Sequence, residues 1–106
     1  MFDLKGRKAL VTGASGGIGG AIARALSTKG AEVGLSGTRI DALEALAGEI
    51  GSNAHIFPAD LSSVDGAEYL AKEAADTMGA IDILINNAGL TRDNLAMRLK
   101  DEDWQT

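Results

Sequence analysis

The feature that most constrains the fold is the stretch at residues 11–20, Val-Thr-Gly-Ala-Ser-Gly-Gly-Ile-Gly-Gly, which follows a short apolar run. Glycine lacks a Cβ and tolerates positive φ. A glycine-dense turn between a strand and a helix therefore lets a phosphate approach backbone N–H groups at the helix's positive end. The spacing is Thr-Gly-x-x-x-Gly-x-Gly, through Gly13, Gly17 and Gly19, and it differs from the commoner G-x-G-x-x-G fingerprint. The stretch predicts a nucleotide site in a domain that alternates strands and helices.

The rest of the chain alternates between the two periodicities that this reading requires. Strands are predicted at residues 7–12, 32–37, 54–58 and 81–86, and helices at about 17–29 and 40–50. In the first helix, Ile18, Ile22 and Leu26 recur at helical spacing. A third helix opens at Ser62 or Ser63 and ends before Gly79, and Asp65 three residues after Ser62 is consistent with a capping box. This order predicts an α/β fold with a doubly wound parallel sheet and right-handed crossovers.

Ligands of such sheets bind in the crevice at the carboxyl ends of the strands. Unusual glycine and polar positions fall after each of the four predicted strands. They are residues 12–13, 36–39, 60–61 and 86–89. The agreement of four strand ends supports one crevice that holds an extended ligand.

Composition limits the partners. With 106 residues, of which 45% are hydrophobic, the chain is predicted to form a single domain over residues 1–106. Its formal net charge of -5 argues against nucleic acid or an anionic membrane as the main partner. Because there is no cysteine, a disulfide framework and a thiolate metal site are excluded, and no metal site is predicted. No stretch has the length of a membrane span or the order of a signal peptide, so a cytoplasmic location is expected.

The glycine motif after the first strand, together with the Asn-Asn-Ala-Gly motif at residues 86–89, resembles the short-chain dehydrogenase/reductase family. Within that family, residues 2–12, the glycine segment and above all residues 82–94 are similar to bacterial 3-oxoacyl-acyl carrier protein reductases. The resemblance runs along the whole chain, but it matches only the amino-terminal part of such an enzyme. It implies a Rossmann-type sheet truncated to about four strands in the order 3-2-1-4, with helices on both faces.

The resemblance also implies roles for individual residues. The glycine turn would wrap the adenosine diphosphate, Asp60 would accept a hydrogen bond from the adenine amino group, and the residues after Asn86 would line the nicotinamide-side ribose. Asn86 itself has two open readings, a tie between neighbouring strands or a direct ligand contact. The predicted cofactor-binding residues are Gly13, Ala14, Ser15, Gly16, Gly17, Ile18, Gly19, Thr38, Arg39, Asp60, Leu61, Asn87, Ala88 and Gly89.

The choice of cofactor is read after the second strand. An NAD enzyme presents a carboxylate there to the ribose hydroxyls, whereas residues 36–39 are Ser-Gly-Thr-Arg. Because Arg39 could meet a 2′-phosphate bidentately, NADP is favoured over NAD. Gly16 departs from the pattern, since many NADP-using relatives carry a second basic residue there. Arg39 could equally be a solvated residue in the first turn of the next helix, with no part in binding the cofactor.

By resemblance, the full enzyme would use NADPH to reduce a 3-oxoacyl group on acyl carrier protein to the 3-hydroxyacyl form in fatty acid synthesis. The family's catalytic serine, and its tyrosine with a lysine four residues later, cannot be placed here. Tyr69 is the sole tyrosine, and the residue four positions on is Glu73. We therefore expect no catalytic residue in this chain, which would bind NADPH without turnover while the catalytic residues lie beyond Thr106. Tyr69 is interpreted as a helix surface residue.

The apolar strand at residues 83–85 suggests that the chain pairs with another copy, so a homo-oligomer is expected. The basic loop at residues 92–100 has two readings, a surface for the acidic carrier or acyl chain and a solvated connection.

Two further functions remain open at this point. A non-catalytic nucleotide-binding or self-assembling module would carry the same glycine turn. A serine hydrolase is the other, because residues 13–17 also fit the G-x-S-x-G elbow with Ser15 as nucleophile. A hydrolase needs a histidine after the serine at the same crevice, and the only histidine, His55, is predicted at the opposite end of the third strand.

Overall fold

The computed structural model describes residues 3–60 and 63–87. Its elements alternate along the chain, and their order confirms the predicted succession. They are β1 (Lys8–Thr12), α1 (Gly17–Thr28), β2 (Glu32–Gly37), α2 (Ile40–Ile50), β3 (Ala54–Pro58), α3 (Val64–Met78) and β4 (Ile83–Asn86). No helix in this part of the chain is long and apolar enough to cross a membrane.

The four strands form one sheet in the order β3-β2-β1-β4, and every neighbouring pair is parallel. The predicted fold class is confirmed. The central strand β1 is buried on both faces because its side chains alternate between two hydrophobic clusters. Ala9 and Val11 face α1 and α2, whereas Leu10 faces α3.

The helices cover both faces through small residues. The buried residues of α1 are Gly19, Gly20 and Ala23, and those of α2 are Leu43 and Leu46. On the other face, α3 contributes the buried residues Ala67, Leu70, Ala71, Ala74 and Met78. Ile18, which has helical spacing with the other apolar residues of α1, is nevertheless 71% exposed. The helix lies too close to the loop before it for a large side chain to fit between them.

The amino-terminal edge of the sheet is held by side chains. The backbone N–H of Lys8 donates to Asp82 Oδ2 at 2.9 Å, and the N–H of Asp82 donates to the Lys8 carbonyl at 2.8 Å. The Lys8 ammonium also donates to the Met78 carbonyl at the end of α3. The strand β4 begins at Ile83, two residues later than the predicted start at 81.

The start of α3 differs in detail from the predicted capping box. Ser63 is the N-cap, and its hydroxyl accepts a hydrogen bond from the Gly66 N–H at 3.1 Å. The third helical position is then a glycine, which has no side chain to complete a box with Asp65. Ser62 lies outside the described residues, as does the loop predicted at residues 92–100.

Candidate functional site

The turn after β1 depends on Gly13, whose φ of +65° is unfavourable for other residues. A Cβ at this position would lie 3.1 Å from the carbonyl oxygen of Asn87 and 3.2 Å from its Nδ2. Gly13 therefore has two structural roles. Its positive φ forms the turn after β1, and its lack of a Cβ lets Asn87, which follows β4, pack against it. Two of the predicted site residues are brought into contact here.

The glycine loop is also docked on the end of β2. The Ala14 N–H donates to the Ser36 carbonyl at 2.9 Å. A Cβ on Gly37 would lie 2.7 Å from Ser15 Oγ and 3.3 Å from the Ser15 nitrogen. Because Gly37 has no side chain, Ser15 lies directly beside the segment that carries Thr38 and Arg39. The Gly37 carbonyl accepts a hydrogen bond from the Ala59 N–H at 3.0 Å. This bond extends the rim of the site, which is formed by the ends of the strands, towards Asp60.

Thr12 organises the side of the rim next to β4. Its buried hydroxyl is 3.1 Å from Asn86 Oδ1 and 3.4 Å from the Ile85 carbonyl, and it accepts from the Asn87 N–H at 2.9 Å. Asn86 thus ties β1 to β4, which confirms the structural reading of that residue. Sequence reasoning placed Thr12 at the end of its strand in the predicted crevice but assigned it no partners. The available signal was a polar residue at the end of a strand that is otherwise apolar and buried.

The amino end of α1 is left open. Gly16 is its N-cap in an extended conformation, with no side-chain cap, and no acidic residue lies in the first turn. The first N–H groups of a helix have no partner within it, and they carry a partial positive charge that attracts anions. The predicted phosphate-binding segment therefore offers backbone donors without a competing side chain at the helix start.

Thr38 and Arg39 are exposed residues between β2 and α2, and Arg39 is the N-cap of α2. Asp60 is exposed after β3. Both positions lie at the same edge of the sheet as the glycine loop, because the strands are parallel. Leu61, Ala88 and Gly89, also predicted to bind the cofactor, lie outside the described residues.

A groove of about 250 Å³ runs from this rim between α1 and α2. Residues 14–17 line one end of the groove, and the ion pair of Arg24 with Glu49, 3.0 Å apart, lines the other. The groove includes the predicted phosphate segment but neither Asp60 nor Asn87, so it covers only part of the predicted crevice. The described residues contain no group of three metal-ligating side chains that could hold an ion.

The structure does not bring Ser15 and His55 together. His55 pairs with Gly34 in the sheet, three residues before Gly37, which contacts Ser15. At about 3.3 Å per residue, the two sites are separated by about 10 Å along the strand. His55 Nε2 instead lies 2.5 Å from Glu32 Oε2 at the start of β2. The geometry gives no support to the hydrolase alternative.

Tyr69 is 51% exposed on α3, which confirms that it is a helix surface residue. The neighbouring Lys72 pairs with Asp76 at 3.0 Å on the same exposed helix. Tyr69 and Lys72 therefore do not form a tyrosine–lysine pair arranged for proton transfer.

The sequence pattern of the short chain dehydrogenases matches residues 7–106. Over all 106 residues, the chain is 56% identical to Nodulation protein G of a Rhizobium species, of which it covers 43%. It is 46% identical to the 3-oxoacyl-[acyl-carrier-protein] reductase of Vibrio harveyi over 97% of this chain and 42% of that protein. The chain thus spans less than half the length of these curated relatives.

Solved structures show the same architecture. The Pseudomonas aeruginosa RhlG/NADP active-site complex aligns with a TM-score of 0.87 and 33% identity, over 95% of this chain and 48% of that one. A 3-ketoacyl-(acyl-carrier-protein) reductase from Brucella melitensis complexed with NADH aligns with a TM-score of 0.74 and 34% identity, over 77% of this chain and 34% of that one.

Proposed function

Because the chain belongs to the short-chain dehydrogenase/reductase family, we propose that residues 1–106 form a cofactor-binding unit that holds NADP(H) at the carboxyl edge of the sheet. The observation that carries this proposal is the open amino end of α1, which has neither a capping side chain nor an acid in its first turn. A diphosphate placed there would accept backbone hydrogen bonds and meet the positive end of the helix. The rim around it is formed by Gly13, Asn87 and Gly37.

NADP is proposed over NAD because of the residues after β2. Residues 36–39 contain no carboxylate, and the exposed Arg39 follows Gly37, which contacts Ser15, by two residues. A guanidinium can form two hydrogen bonds to a phosphate monoester, whereas the ribose hydroxyl of NAD offers no such charge. The two similar structures contain NADP and NADH respectively, so the proposal rests on these residues of the chain itself.

The reaction proposed for the whole protein is the reduction of a 3-oxoacyl group on acyl carrier protein to the 3-hydroxyacyl form, with NADPH and the carrier-linked substrate as partners. Similarity to the Vibrio harveyi reductase over 97% of the chain supports it. The bound cofactor would supply the hydride. The residues of this chain would bind and orient it. We propose that the 106-residue chain does not complete the reaction, since Tyr69 has no lysine four positions later.

The higher identity to Nodulation protein G favours a second candidate, a reductase of the same family whose carbonyl substrate is not a fatty-acid synthesis intermediate. The cofactor site would be the same in both cases. Only the substrate would differ.

The test begins with calorimetric titration of the 106-residue chain with NADPH and with NADH. We expect one NADPH to bind per chain, more tightly than NADH. Addition of a 3-oxoacyl thioester should then leave the NADPH absorbance unchanged. Failure of both nucleotides to bind a folded chain would contradict the cofactor site, and oxidation of NADPH would contradict the claim that this chain lacks the catalytic residues.

A further inference from the structure

We draw no further inference here: the strongest candidate, the groove between α1 and α2, carries none because residues 14–17 at one end belong to the cofactor site already described, and Arg24 and Glu49 at the other end are paired with each other.

Discussion

The helices α1 and α3 both begin at the carboxyl edge of the sheet, yet their first turns are built in opposite ways. The helix α3 is closed by its own residues, because Ser63 accepts a hydrogen bond from the Gly66 N–H and Asp65 places a negative charge in the first turn. The helix α1 begins at Gly16, with no side-chain cap and no acid in its first turn.

This difference separates the needs of the fold from the needs of a ligand. A capping hydroxyl typically contributes about 1 kcal/mol to stability, and an acid in the first turn adds a few tenths more. The chain obtains these contributions at α3. At α1 it has only glycine, so the unpaired donors would be compensated by an anion bound there. The α1 start is therefore interpreted as the phosphate site and the α3 start as structural support for its rim.

The largest effect is expected from Gly19→Ala, which tests how closely α1 must approach the loop before it. A Cβ at Gly19 would overlap the Gly13 carbonyl oxygen and lie 2.8 Å from its carbon. Since the conflict is between backbone atoms, we expect a loss of about 3 kcal/mol in the free energy of unfolding, measured by urea denaturation. Gly48→Ala is the matched control and should stabilise the chain by about 1 kcal/mol. A neutral Gly19→Ala would show that the close approach is not required.

Gly17→Asp would give α1 the acid that α3 already has. A Cβ at Gly17 meets nothing within 4 Å, so the side chain can be accommodated. The helix dipole should raise the unfolding free energy by about 0.5 kcal/mol, while repulsion of the diphosphate should weaken NADPH binding about thirtyfold, or about 2 kcal/mol. Denaturation and calorimetric titration measure the two effects separately.

The matched control for Gly17→Asp is Gly17→Asn, which adds a side chain of nearly equal volume without the charge. It should retain most of the NADPH affinity. An equal loss in the two variants would assign the effect to bulk and would remove the electrostatic part of the comparison.

Arg39→Ala tests whether the start of α2 contributes to the same site. Because Arg39 is exposed after β2, we expect little change in stability. Loss of a charge-assisted contact to the 2′-phosphate should weaken NADPH binding about tenfold and leave NADH unchanged. Arg7→Ala, at an exposed arginine on the opposite edge of the sheet, serves as the control and should change neither affinity. Equal losses for NADPH and NADH would contradict the role in phosphate recognition.

Ser63→Ala removes the cap that distinguishes α3 from α1. The unfolding free energy should fall by about 1 kcal/mol, because the Gly66 N–H loses its acceptor. Thr28→Ala is a suitable comparison, since the Thr28 hydroxyl is exposed and donates to the Arg24 carbonyl within α1. Its effect should stay within about 0.5 kcal/mol. If Ser63→Ala lowers the unfolding free energy no more than Thr28→Ala does, the Ser63 hydroxyl does not cap α3 as described.

The order and type of every described element could be predicted from the sequence, because hydrophobic period and glycine positions follow the backbone geometry directly. Local pattern could not predict how deeply each side chain is buried. Ile18 has helical spacing but lies exposed, since the loop at Gly13 leaves room only for Gly19 on the buried side. The start of β4 was also misplaced, since the strand begins at Ile83 and the apolar run in the sequence begins two residues earlier.

The candidate site divides in the same manner. Strand ends and glycine spacing indicate its location, and the structure shows that Gly13 meets Asn87 and that Ser15 meets Gly37. The contacts of Thr12 could not be predicted, because they depend on partners from another strand. Such contacts depend on the tertiary arrangement, which local sequence patterns do not reveal.

The most direct test of the central claim is an amide chemical-shift map of the isotope-labelled 106-residue chain during titration with NADPH. We predict that the largest shifts fall on residues 13–18, where the open start of α1 receives the diphosphate. The amides of Lys8 and Asp82, at the opposite edge of the sheet, should not move. Saturating NADPH that leaves residues 13–18 of a folded chain unshifted would contradict the assignment of α1 as the phosphate site.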